Sequence, residues 1–103
     1  MKAPPPPEAF ILRADGSIKH LPLREPTLEE LQKAVGGYIE ILYVRWLDRP
    51  AMMVLDEEGK LAHKRKPLNA KATHTAQATA GIAAWDVIVG DVVILCGPEV
   101  MLT

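Results

Sequence analysis

Between Thr27 and Gly37 the chain spells out both ends of one short helix, and no other stretch restricts the fold so much. Thr27 precedes Glu30 by three positions. Its hydroxyl can accept from the Glu30 N–H while the Glu30 carboxylate reaches back to the Thr27 N–H. Glu29 and Glu30 also sit at the positive end of the helix dipole. Leu28, Leu31, Ala34 and Val35 recur at helical spacing and predict one buried side, and Gly36-Gly37 can supply a left-handed stop. A helix this short must be held by packing, so it needs a partner surface.

The next segment offers one. Tyr38 to Trp46 (YIEILYVRW) carries β-branched and aromatic residues on both faces, which predicts a central strand covered on both sides. Asp48-Arg49-Pro50 ends it. Ala51 to Leu55 reads as another strand, Asp56 to Gly59 as a turn, and the residues near Leu61 as a return strand. Upstream, Ala9 to Leu12 and Ile18 to Leu21 flank Asp15-Gly16, a hairpin signal because a type I′ turn needs positive φ at both central residues. Pro67-Leu68-Asn69 opens an Ala/Thr-rich helical stretch, Ala70 to Ala80, with no strong apolar face. Asp86 to Val89 and Val92 to Leu95 read as two apolar runs around a tight turn, and Gly97-Pro98 precedes a last run, Val100 to Leu102. The pattern predicts an α+β fold, a small and mostly antiparallel sheet with one or two short helices, as a single domain over residues 8–103. Met1 to Pro7 is a polyproline-prone arm expected to be disordered. Its alternative role is as a ligand for a proline-recognising groove.

Composition narrows the function classes. With 103 residues, 49% hydrophobic and 24% charged, the chain can bury a real core. A net charge of −1 argues against a whole-domain electrostatic role on nucleic acid or anionic membrane. One cysteine, Cys96, excludes an internal disulfide and a cysteine zinc cluster. The proline run after Met1 is unlike a secretory leader, and no apolar stretch is long enough for a membrane span, so a cytoplasmic location is expected. Few Asn, Gln, Ser and Cys beside nine prolines make a thermophile pattern, which GC-rich codon usage would also produce.

Little points to catalysis. His20, His63 and His74 lack carboxylate or cysteine partners at metal-site spacing, so neither metal nor any cofactor is expected. Cys96 ends an apolar run and reads as a small buried hydrophobe. The single serine, Ser17, lies in the hairpin turn, and Gly36-Gly37 follows a helix, the wrong order for a phosphate cradle. Trp46 and Trp85 read as core or rim residues. The charge feature that stands out is Lys60, Lys64, Arg65, Lys66 and Lys71, with no acid between Glu58 and Asp86. It reads either as an anion-binding patch or as a lysine-guarded edge strand, on which Lys64 and Lys66 share one face and Arg65 takes the other. Asn69 is either a helix cap or, with Lys64, Arg65, Lys66 and Lys71, a donor to a small anionic ligand.

The order of these pieces resembles a known group. A capped helix ends at Gly-Gly-Tyr-Ile-Glu, then come Asp-Glu-Glu-Gly-Lys-Leu, a Pro-Leu-Asn…Ala-Thr segment and Asp-Val-Ile-Val-Gly-Asp-Val-Val-Ile-Leu. Over roughly residues 17–97 this is similar to domain-of-unknown-function family 3846, small proteins of phages and bacteria. The resemblance implies a phage or prophage origin and carries no catalytic assignment. The expected function is that of a non-enzymatic phage-type accessory protein binding a host protein in the host cytoplasm. The alternatives are a small anionic-ligand binder using the basic run and, with less support, a weak nucleic-acid binder.

Overall fold

The computed structural model describes residues 8–21 and 26–96. The Pro-rich arm Met1–Pro7 and the run Val100–Leu102 lie outside them. β1 (Glu8–Leu12) and β2 (Ile18–Leu21) are followed by α1 (Leu28–Val35), β3 (Ile39–Trp46), β4 (Arg49–Asp56), α2 (Ala70–Thr79) and β5 (Val92–Cys96). The five strands make one sheet in the order β2-β1-β5-β4-β3, and every neighbouring pair is antiparallel. The fold is therefore α+β. No helix among these residues is long and apolar enough to cross a membrane.

Strand alternation builds two cores from one sheet. Ala51, Met53 and Leu55 of β4 and Val92, Ile94 and Cys96 of β5 pack with Ala72 and Ala76 of α2. The intervening residues Val54, Val93 and Leu95 pack with Leu31 and Val35 of α1. The helices thus cover opposite faces. β5 is buried along its whole length because it is covered on both faces and paired on both sides.

That central place was expected of β3, which instead forms an edge of the sheet. Its two-faced apolar content has another cause. Leu42, Val44 and Trp46 pack into the core under α2, while Ile39 packs into the core under α1. An edge strand touching two helices reads like a central one.

The turns also redistribute. Arg13 to Ser17 close the β1–β2 hairpin as a longer loop, with Gly16 N–H donating to Arg13 O, Arg13 N–H to Ser17 O, and Gly16 at φ 93°. The tight two-residue turn falls between β3 and β4, where Leu47 and Asp48 both adopt positive φ, 52° and 60°. The expected return strand near Leu61 is a series of turns. Val87 to Val89 do not pair with β5. Ile88 exchanges bonds with Thr73 Oγ1 and accepts from Asn69 N–H, and Val89 bridges Leu68. Proximity to the start of α2 satisfies this backbone, so no hairpin forms.

Candidate functional site

The residues singled out from the sequence do not converge on one ligand. Lys64 and Lys66 do meet, at Asp56, whose side chain is only 1% exposed. Lys64 Nζ lies 3.0 Å and Lys66 Nζ 2.8 Å from Asp56 Oδ2, and the Glu58 N–H donates to Oδ1 at 2.9 Å. The same ammonium groups donate to the last carbonyls of α1, Lys64 to Gly36 O and Lys66 to Val35 O. They therefore clamp the negative end of the helix dipole to the end of β4. Burial would push the Asp56 carboxyl up, but hydrogen bonds from Lys66, the Glu58 amide and Lys64 outweigh it and hold the pKa down at about 2. Gly37 makes the approach possible, since a Cβ there would stand 2.5 Å from Asp56 Oδ1.

The others serve separate ends. Arg65 is exposed with φ 49° in the irregular segment after the turns, so the strand alternation expected for this run does not apply. Lys71 Nζ donates to Gly16 O at 2.8 Å. Asn69 is fully buried: its Oδ1 caps α2 through Ala72 N–H, and its Nδ2 donates to Leu12 O and Gly90 O, both at 2.9 Å. Both amide hydrogens are taken, which leaves none to donate to an anion. Cys96 is buried, and that burial pushes its thiol pKa up despite nearby Arg49. His20 stacks on Phe10, with ring centroids 4.8 Å apart.

An unpaired surface lies instead along β3. The residues closing a two-residue hairpin exchange backbone bonds, so Trp46, Val44, Leu42 and Glu40 turn their backbone groups toward β4. Arg45, Tyr43, Ile41 and Ile39 turn theirs outward. Arg45 N–H does point out, donating to Thr79 Oγ1 of α2 at 3.0 Å. The outward groups of Ile39, Ile41 and Tyr43 have no such partner among the described residues. Tyr43 is 75% exposed, with half-buried Met52 opposite it.

On the face of α2, a cleft of about 230 Å³ adjoins this edge. Leu42, Leu55, Ile82 and Ile88 contribute to its apolar lining, Glu40 and Glu57 are two of its carboxylates beside Asp56 and Asp86, and Lys60 lines it as well. Among the described residues neither glutamate carboxylate has an ion pair or hydrogen bond, whereas Asp86 is paired with Lys60. Trp85, in the loop before Asp86, is 84% exposed and belongs to no core. The available sequence signal for the edge was charge: Glu40 and Arg45 interrupt an otherwise apolar strand, as edge strands do.

The family model described as Domain of unknown function (DUF3846) matches residues 8–100. No curated protein and no solved structure matches the chain.

Proposed function

The chain belongs to that family of unknown function, and we propose that it works without catalysis, as a phage-type accessory protein binding a host protein through the open edge of β3. The single observation behind this reading is the row of outward backbone groups at Ile39, Ile41 and Tyr43, unpaired among the described residues, beside the exposed Tyr43 ring. Natural proteins commonly blunt such an edge, and those that leave it open use it for strand addition. Thr79 covers the edge at Arg45 and leaves the stretch before it free. The reading places the protein in the host cytoplasm, where extended segments of partner proteins are accessible.

Host-lysate capture with nuclease present tests this. Tyr43→Pro removes one outward N–H and leaves the β4-facing groups of Leu42 and Val44 in place. It should abolish capture, and Tyr43→Lys, which guards the edge without proline, should weaken it. Arg65→Glu should leave capture intact. The reverse pattern, loss with Arg65→Glu and retention with both Tyr43 variants, would shift the function to the basic run and the anionic-ligand reading.

A further inference from the structure

We propose that the β3 edge takes an extended, positively charged peptide segment as an added strand, its basic side chains entering the cleft beside Glu40 and Glu57. This rests on the edge being the binding surface and specifies which partner it accepts. A strand paired to the outward groups of Ile39, Ile41 and Tyr43 must alternate its side chains between the two faces of the sheet. Those opposite Glu40 and Leu42 point to the α2 face, into the cleft; those opposite Ile41 and Tyr43 point to the other face, beside the Ile41 and Tyr43 side chains.

Charge decides the sign of the partner. Among the described residues Glu40 and Glu57 have no ion-pair partner, and Lys60 is already committed to Asp86. Lys64 and Lys66 turn to Asp56 and the end of α1. An acidic segment would therefore meet two uncompensated carboxylates, while a lysine or arginine would neutralise them and lay its aliphatic stem beside Leu42 and Ile82. A second copy of the chain fits less well. Outward residues must pair with outward residues, so a two-fold centred on Ile41 sets Leu42 against Glu40 and leaves both carboxylates without a cation. The favoured segment alternates basic and apolar residues.

The test is fluorescence anisotropy of the whole protein with two labelled peptides, one alternating lysine with valine and one alternating glutamate with valine. The lysine peptide should bind, weaken as salt rises, and be lost with Tyr43→Pro. Glu40→Gln with Glu57→Gln should weaken it about tenfold and flatten its salt dependence. Equal binding of both peptides, with loss on Tyr43→Pro, would overturn the charge preference while keeping the edge as the binding surface. Binding that survives Tyr43→Pro would overturn both. Concentration-dependent dimerisation abolished by Tyr43→Pro, without peptide binding, would assign the edge to a second copy. Circular dichroism of each variant establishes that it is folded.

Discussion

The two helices sit on opposite faces of one sheet and are anchored by different means. α1 carries its own start: Thr27 Oγ1 accepts from Glu30 N–H at 3.1 Å, and Thr27 N–H donates to Glu30 Oε1 at 3.2 Å. Its stop is equally local, with Gly36 at φ 81° and the amides of Gly36 and Gly37 bonded to Gln32 O. α2 has neither an acidic first turn nor a basic last one, and Ala72, Thr75 and Ala76 are its buried residues. Its cap, Asn69, is bonded to β1 through Leu12 O and to the chain before β5 through Gly90 O. One helix is specified by neighbours in sequence and then packed; the other exists because the sheet has already brought distant carbonyls to its first residue. A cap that satisfies only its own helix and one that ties three segments together should respond very differently to loss.

The sharpest test removes the two caps. Asn69→Ala leaves two buried carbonyls and one buried amide without their partner, and should cost about 3 kcal/mol. A urea titration reads this, and a cost no larger than that of removing the α1 cap would break the comparison.

Acid tests how α1 is fastened at its other end. The Asp56 pKa lies below its ordinary value of 3.8, at about 2. The stability it contributes is therefore complete above the unfolded value and lost as pH falls from about 4 toward 2. The loss should amount to about 2 kcal/mol. Thermal melts across that window should decline less steeply for Asp56→Asn than for the parent protein. Parallel declines would mean that the lysine clamp does not hold the helix.

Thr27→Ala should cost about 1 kcal/mol, since its bonds are exposed and confined to one turn. Amide exchange should speed chiefly at the first turn of α1. Fraying that spreads to the sheet would erase the contrast with Asn69. The smallest effect belongs to Leu28, which helical spacing placed on the buried side but which is 51% exposed. Leu28→Gln should change the denaturation midpoint by less than about 0.5 kcal/mol equivalent, and a larger loss would show that it packs.

Taken alone, the residues determined several features that lie within a turn of their own partner, though the tight hairpin expected between Asp86 and Leu95 does not form. The capping box, the glycine stop, the β1–β2 hairpin and the antiparallel α+β class all follow from spacings of a few positions, where contact is imposed by local geometry. The family resemblance read over residues 17–97 is matched by a family model over residues 8–100. Only tertiary structure decided the rest. Lys64 and Lys66 read as a basic patch or a guarded edge because the eight and ten positions back to Asp56 and the 28 and 31 back to the end of α1 carry no local constraint, yet topology brings all of them together. Asn69 is bonded to Leu12, fifty-seven positions away. Whether β3 is a centre or an edge depends on which strands pair beside it. Both environments can make a strand apolar on two faces, so side-chain pattern does not distinguish them, and the open backbone edge on which the proposed docking rests belongs to the strand order alone.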